Sequence, residues 1–311
     1  MSRVSSGGTM SRKLITLSAL VLFSFSMLSS KPLQFLVFGD WGWNGYFGQK
    51  LVAEQMEKRA EAIEAEFIVS CGDNFQINGV RSVDDPLWIS SFENIYAAPS
   101  LLVDWYCVLG NHDYIGNPQA EIDYSKKSRR WNMPARFYAE HDQIDDRTDV
   151  DSYYLDTSPF QKQYYKEKRY ANVIGQDTSA QLRWLDSALA ASKSRWKIVV
   201  GHHPIFTSGT HAPELTAMPG RFNPLLRRYS VDAYFSGHDH QLECLKPDSG
   251  NLRYFISGGG SQMIRPVKPT AHTVFLACTP GFMVVSLGSD TMKVEVVDFE
   301  GKKLHTETIV K

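Results

Sequence analysis

The chain has 311 residues, of which 43% are hydrophobic and 22% charged, a composition that fits a globular protein with a full buried core. Its formal net charge is -1 and its pI is about 6.8, with Lys and Arg scattered along the sequence. This pattern excludes an extended basic surface, so no nucleic-acid partner is expected.

The N-terminal segment is basic and then apolar. Met10 precedes Arg12 and Lys13, and residues 14–28 read LITLSALVLFSFSML. This order is typical of a secretory signal peptide, and the apolar stretch is short for a membrane span. We expect translation from Met10, an N-terminal extension and signal peptide over residues 1–30, and a secreted or periplasmic protein with no stable span in its mature form. An uncleaved segment would instead anchor it to a membrane.

Strand and helix patterns alternate through the first two thirds of the chain, which predicts a largely parallel sheet covered by helices. The predicted strands are 33–38, 67–71, 102–109 and 196–200, and the predicted helices are 48–65, 86–97 and one opening at a Thr178–Gln181 capping box. Residues 141–177 are predicted to be irregular, with a basic, aromatic loop at 158–170. After Tyr254 the pattern predicts a second, largely antiparallel sheet.

The four cysteines show no CxxC spacing, so no sulfur-ligated zinc site is indicated. They are Cys71, Cys107, Cys244 and Cys278. Cys71 and Cys107 lie in apolar strands and are expected to be buried thiols. Export would permit a disulfide, and the sequence leaves its pairing open.

Five predicted strands end in glycine followed at once by a side chain that binds metals. They are VFGD at Asp40, SCGD at Asp73, VLGN at Asn111, VVGH at His202 and FSGH at His238. Glycine lets the backbone turn sharply, and ligands bind at strand ends in open α/β sheets. We therefore expect these five ends to converge.

His240 adds a sixth donor to this set. Oxygen and nitrogen donors without a thiolate suit zinc, iron or manganese. Six donors exceed what one tetrahedral ion needs, so we predict two ions roughly 3.5 to 4 Å apart, bridged by one carboxylate. His238 and His240 would project to the same side if their segment is extended.

Each motif alone is weak, because a glycine–aspartate pair is common in turns and most histidines are not ligands. The occurrence of all five in one chain carries the prediction. His141, His272 and His305 have no such context and are interpreted as ordinary histidines. The GGGS stretch at 258–261 lacks the lysine and helix of a P-loop and is interpreted as a turn.

The motifs GDWG, GDNF, GNHDY, GHHP and GHDH together resemble those of the calcineurin-like metallophosphoesterases, in particular the single-domain, tartrate-resistant purple acid phosphatases. The resemblance runs from about Leu33 to about Ile264. It implies an α/β fold of two packed mixed β-sheets flanked by helices, formed by residues 31–311 as one metallophosphoesterase domain. It also implies a phosphomonoesterase acting on a small phosphorylated substrate or a phosphoprotein, and we expect a monomer.

The resemblance also implies the role of each site residue. Asp40 and His240 would hold one ion, Asp73 would bridge both, and Asn111, His202 and His238 would complete the second. His112 would be the general acid for the leaving group, Asp113 would orient it, and His211 would be a second substrate-facing histidine. A metal-activated hydroxide would then attack phosphorus in line with the leaving oxygen, under a loop at 158–170.

Gln76 departs from the family pattern. The purple enzymes have a tyrosine there, whose phenolate binds ferric iron and gives the colour. A neutral amide leaves the site about one charge less negative, which disfavours a trivalent ion. Among iron, zinc and manganese, we therefore expect a divalent pair or an iron site that is not purple. Tyr114 belongs to the family motif and is expected to pack beside His112.

Two alternatives stay open at this point. A phosphodiesterase or nucleotide pyrophosphatase would use nearly the same metal core with different loops. A catalytically silent phosphate- or metal-binding protein could retain the fold, although intact His112 and His211 argue against it.

Overall fold

Two seven-stranded mixed sheets form the framework of the molecule, as the fold-class prediction expected. The computed structural model describes residues 1–2, 31–261 and 264–311. The predicted signal peptide lies outside the described residues. The strands are β1 (Leu33–Phe38), β2 (Phe67–Ser70), β3 (Asp104–Cys107), β4 (Trp131–Asn132), β5 (Tyr138–Asp145), β6 (Thr148–Leu155), β7 (Trp196–Gly201), β8 (Ala233–Ser236), β9 (Leu242–Leu245), β10 (Arg253–Ser257), β11 (Thr273–Ala277), β12 (Gly281–Leu287), β13 (Thr291–Asp298) and β14 (Lys303–Val310). The helices are α1 (Gln49–Ile63), α2 (Pro118–Tyr124), α3 (Thr178–Ala191) and α4 (Met218–Arg228), with a π-helical turn at Trp88–Glu93.

Parallel strands lie next to each other inside both sheets. The first sheet has the order β14-β13-β12-β1-β2-β3-β4, and β1 to β4 are parallel. The second has the order β11-β9-β10-β8-β7-β6-β5, and β6, β7, β8 and β10 are parallel. The carboxyl ends of β1, β2 and β3 therefore share one edge of their sheet, and those of β7 and β8 share one edge of theirs.

The prediction of a separate C-terminal sheet was wrong. Strands β10 and β11 belong to the second sheet, whereas β12 pairs antiparallel with β1 and carries β13 and β14 into the first. Residues 141–177 are also more regular than predicted, because β5 and β6 form an antiparallel hairpin. The polar residues of β5 are tolerated because it is an edge strand on which Tyr138 alone is buried.

An aromatic cluster packs directly beneath the strand ends of the first sheet. Trp41, which follows Asp40, is fully buried and packs against Phe38, Phe75 and Trp105. Its indole N–H donates to Ser70 Oγ at 2.9 Å. Large buried rings of this kind contribute much of a core's stability. They give the loops after β1 and β2 a rigid base.

The start of α3 differs in detail from the predicted capping box. Asp177, not Thr178, caps the helix, since its carboxylate accepts from the Ala180 N–H at 2.9 Å. Gln181 instead bonds the backbone N–H and carbonyl of Asp156, at 3.0 and 2.9 Å. The amide of Gln181 thus ties the helix to the end of β6.

All four cysteines are free thiols, and Cys71, Cys107 and Cys244 are buried while Cys278 is exposed. Buried thiols at Cys71 and Cys107 are thereby confirmed. Over the described residues, we find no helix with the length and apolar character that crossing a bilayer requires.

Candidate metal centre and active site

The six predicted ligands meet where the strand ends of the two sheets face each other. Those from the first sheet follow β1, β2 and β3, and those from the second follow β7 and β8. Five of them are buried, and the side chain of His240 is 11% exposed. In chain order the set is Asp40, Asp73, Asn111, His202, His238 and His240.

Three ligands have left-handed backbone angles. Asp40, Asp73 and His238 have φ of 61°, 50° and 68°. The extended segment that would make His238 and His240 project to the same side is not present, because the chain turns at His238. The neighbouring glycines let the turns after the strands approach one another closely. For example, a Cβ on Gly110 would lie 2.2 Å from the Asp73 backbone nitrogen.

One group of donor atoms surrounds the Asn111 side-chain oxygen. His238 Nδ1 lies 2.9 Å and His202 Nε2 3.1 Å from Asn111 Oδ1, and the two nitrogens are 3.2 Å apart. Asp73 Oδ1 is 3.4 Å from His202 Nε2. Four donors from four strand ends thus point at a common volume.

The second group lies around Asp40. His240 Nε2 is 3.4 Å from Asp40 Oδ1, while Asp40 Oδ2 accepts the backbone N–H of His238 at 2.9 Å. Donor atoms of Asp40, Asp73 and His202 all lie within 4.8 Å of one another, so Asp73 stands between the two groups.

One ligand atom indicates that a metal fits here. Asp40 Oδ1 is buried and has no hydrogen bond among the described residues. Such an atom is costly unless something else satisfies it. A cation between Asp40 and Asp73 would satisfy it, and the carboxylate, amide and imidazole donors suit a pair of divalent ions.

Burial and neighbouring charges shift the pKa values of the predicted ligands. Burial raises the pKa of Asp40. Burial alone would raise the pKa of Asp73 too, but His202 and His112 outweigh it and lower that pKa. Burial lowers the pKa of His202, but the negative charge of Asp73 outweighs this effect and raises that pKa to about 9. His238 has its pKa lowered well below the usual range by burial and by neighbouring imidazoles.

His203 lies beside this group and was not predicted. It is fully buried, and a ring nitrogen of His203 lies within 4.8 Å of ring nitrogens of His202 and His238. Its ring nitrogens are both taken, since Nδ1 lies 2.8 Å from Thr157 Oγ1 and Nε2 lies 2.9 Å from the Tyr164 hydroxyl. His203 therefore anchors the 158–170 loop. The motif GHHP contains this histidine, but its spacing gives no sign of that contact.

His112 lies at the opening of the site. Its Nδ1 is 3.3 Å from the Ile77 carbonyl and its Nε2 is 3.9 Å from Asp73 Oδ2. The carbonyl accepts a hydrogen bond from the Nδ1–H, so Nε2 faces the cleft. Ile77 has φ of 73°, a strained angle for a β-branched residue, and no sequence pattern pointed to it.

Asp113 does not orient His112 as predicted. Its buried carboxylate accepts backbone N–H groups from Gly110 at 2.8 Å, Phe75 at 3.0 Å and Asn74 at 3.2 Å. Burial, with the nearby Asp73 charge, raises the pKa of Asp113 to about 7. Asp113 thus joins the turns after β2 and β3, and it supports the ligands rather than the acid.

His211 is brought to the opposite wall. Its backbone N–H donates to Asp239 Oδ1 at 3.2 Å, and its ring packs 4.4 Å from that of His238. Thr207 also donates to Asp239, at 2.7 Å. Asp239, between two predicted ligands in GHDH, therefore holds the loop that carries His211, a role that sequence reasoning missed.

The 158–170 loop covers the six predicted ligands on one side, as expected. Asn111 Nδ2 donates to the Tyr170 hydroxyl at 3.3 Å, and Tyr164 and Tyr170 pack ring to ring at 4.2 Å. A cleft of about 600 Å³ remains open between this loop and the His211 loop. Asn111, His112, His211 and His238 line it, so it gives access to the predicted ligands.

Neither Gln76 nor Tyr114 offers a phenolate to the ligands. Gln76 is 5% exposed, and its amide nitrogen has no hydrogen bond within the described part of the chain. The Tyr114 hydroxyl donates to Asp156 and accepts from Arg136 at 2.7 Å. Tyr114 therefore lies in a separate buried network.

Comparisons with known proteins agree with this geometry. Residues 33–242 match the family described as calcineurin-like phosphoesterase. The chain is 36% identical over 289 residues to "Purple acid phosphatase 17" of Arabidopsis thaliana, covering 89% of this chain and 84% of that protein. It is 34% identical over 315 residues to human "Tartrate-resistant acid phosphatase type 5", covering 94% and 95%. Among solved structures, "GAP50 the anchor in the inner membrane complex of Plasmodium" aligns with a TM-score of 0.76 and 26% identity over 90% of both chains.

Proposed function

The chain belongs to the calcineurin-like phosphoesterase family, and we propose that it is a dinuclear-metal phosphatase that hydrolyses phosphomonoesters. The observation that carries this proposal is the convergence of six oxygen and nitrogen donors, with Asp40 Oδ1 buried and without a hydrogen bond among the described residues. The similarity to phosphatases over about nine tenths of the chain supports the reaction class.

The metal pair would be held by two sets of residues that share Asp73. Asp40 and His240 would hold one ion, and Asn111, His202 and His238 the other. When bound, two divalent ions neutralise phosphate oxygens and activate water for attack on phosphorus. The neutral Gln76 amide supports a divalent pair over a purple ferric centre.

The remaining residues would act on the substrate. With Nδ1–H donated to the Ile77 carbonyl, protonated His112 presents Nε2–H to the cleft and would give that proton to the leaving oxygen. His211, on the opposite wall, would face the phosphoryl oxygens. Tyr164 and Tyr170 would keep the covering loop closed over one side of the site.

The decisive experiment compares hydrolysis of a monoester and a bis-ester of the same phenol by metal-loaded protein, with metal content measured on the same sample. We expect about two ions per chain, faster turnover of the monoester, and loss of turnover on chelation. His112→Ala should abolish turnover at unchanged metal content, while His272→Ala, at an exposed and remote histidine, should behave as wild type. Faster turnover of the bis-ester would favour a phosphodiesterase.

A silent scaffold is the second candidate, because one similar structure is described as an anchor in a membrane complex. A metal-free, inert protein would support it. We further propose that the enzyme acts as a monomer on a small phosphorylated compound or a phosphoprotein and is exported through residues 1–30. Light scattering and the N-terminal sequence of the mature protein test the oligomeric state and the export.

A further inference from the structure

Arg265 lies on the wall of the cleft, beside the candidate active site. It lines the same volume as Asn111, His112 and His238. Its Nη1 donates to Thr210 Oγ1 at 3.1 Å and to His211 Nε2 at 2.7 Å. A cationic donor therefore occupies the position next to the second substrate-facing histidine.

The direction of the Arg265–His211 hydrogen bond is fixed by chemistry. A guanidinium keeps its protons in proteins and only donates. His211 Nε2 must then be the acceptor, which leaves the Nδ1–H facing Glu214 Oε2 at 3.5 Å. A nitrogen that accepts cannot also donate to a phosphate oxygen, so Arg265 is the group on this wall that offers protons to an anion.

The charge of Arg265 is not neutralised within the described residues. No carboxylate there lies within ion-pairing distance of its guanidinium, whereas Arg169, the other arginine at the cleft, pairs with Glu167 at 2.9 Å. The Nε and Nη2 donors of Arg265 likewise have no partner in that part of the chain. Arginine binds phosphate oxygens with paired, charge-assisted hydrogen bonds.

The GGGS stretch, which precedes Arg265 in the sequence, is tied to the end of β1. Ser261 Oγ donates to the Asp40 carbonyl at 2.6 Å, and the Gly260 N–H donates to the Gly39 carbonyl at 3.0 Å. A Cβ on Gly260 would lie 2.4 Å from that carbonyl oxygen. The stretch therefore does more than turn the chain, because Gly260 and Ser261 bind the backbone at the end of β1.

We propose that Arg265 binds the phosphoryl group of the substrate, with His211 as its positioning partner. This inference rests on the proposed function for the identity of the anion. Arg265 supplies one or two hydrogen bonds to phosphate oxygens from the wall opposite the 158–170 loop, through its Nε and Nη2 donors, while Nη1 stays bonded to His211.

The test measures binding of inorganic phosphate to the metal-loaded protein by calorimetry, for Arg265→Ala, Arg265→Lys and the control Lys268→Ala. Lys268 is exposed in the same segment and does not line the cleft, so its removal changes the charge alone. Arg265→Ala should weaken phosphate binding by roughly 10- to 100-fold. The phosphate affinity of Arg265→Lys should lie between those of the wild type and Arg265→Ala, and the affinity of Lys268→Ala should match that of the wild type.

Turnover separates this inference from the proposed function. With an aryl phosphate, the KM of Arg265→Ala should rise with the phosphate Kd. Unchanged Kd and KM in Arg265→Ala would overturn the role of Arg265 even if the wild type is an active phosphatase. Weakened phosphate binding without turnover in any variant would uphold Arg265 and refute hydrolysis.

Discussion

Tyr164→Phe is expected to open the 158–170 loop. The substitution removes the hydroxyl that lies 2.9 Å from His203 Nε2 and leaves that nitrogen buried without a partner. Burial and neighbouring imidazoles hold the pKa of His203 well below its usual range, so charging cannot relieve the loss. An unsatisfied buried polar atom costs about 1–3 kcal/mol. If loop opening restores water to His203, the ratio of open to closed loop in Tyr164→Phe should be about 5- to 150-fold higher than in the wild type.

Limited trypsin digestion measures this change directly. The cleavage sites in the loop are Lys162, Lys166, Lys168 and Arg169, and the rate of cutting follows the open population while reclosing is fast. Tyr165→Phe is the matched control, because its hydroxyl donates to the Pro159 carbonyl at 2.9 Å on a side chain that is 43% exposed. Equal cutting rates for the two variants would refute the anchoring role of His203.

Three further outcomes follow from the structure. Chelation should lower the unfolding temperature by about 5–10 °C as well as stop turnover, because the donors join both sheets; an unchanged temperature would contradict this. Gln76→Tyr, loaded with iron, should gain a visible phenolate band that the wild type lacks, and a band already present in the wild type would contradict the argument from Gln76. Burial, despite Arg136, raises the pKa of Asp156 to about 6, so the folded state binds its proton more tightly than the unfolded state. Relative to Asp156→Asn, the unfolding free energy of the wild type should thus fall by about 2 kcal/mol between pH 4 and pH 7, as measured by urea unfolding. If the difference in unfolding free energy between the two proteins does not change with pH, the pKa of Asp156 is not raised.

The candidate site was predictable from the sequence because its ligands follow the strongest local signals. Five of the six directly follow a glycine after a buried apolar strand, His240 lies two residues beyond the fifth, and parallel strands bring such ends together without further information. What could not be predicted is set by contacts between distant segments. Asp113 contacts the turn at Asn74 and Phe75, and no local pattern distinguishes this from a contact with His112.

The missed elements share a physical cause. Helix α4 contains Pro219, Gly220 and Pro224, so its propensity is poor, and it is held by burial of Met218, Phe222 and Leu226 instead. Strand β5 is polar because it lies at a sheet edge. The split of the C-terminal strands between two sheets depends on which edges are free, and that is a property of the whole fold.

The left-handed angles of Asp40, Asp73 and His238 have a consequence for how such a protein changes over generations. A residue with a Cβ loses on the order of 1 kcal/mol at this angle, whereas glycine adopts it freely. In a descendant released from catalysis, glycine at His238 would therefore relieve this strain, whereas glycine at Asp40 or Asp73 would also remove a carboxylate that accepts the backbone N–H of His238 or His112. Retention of His238 thus marks a lineage in which the need to bind ions outweighs the stability gained by losing it.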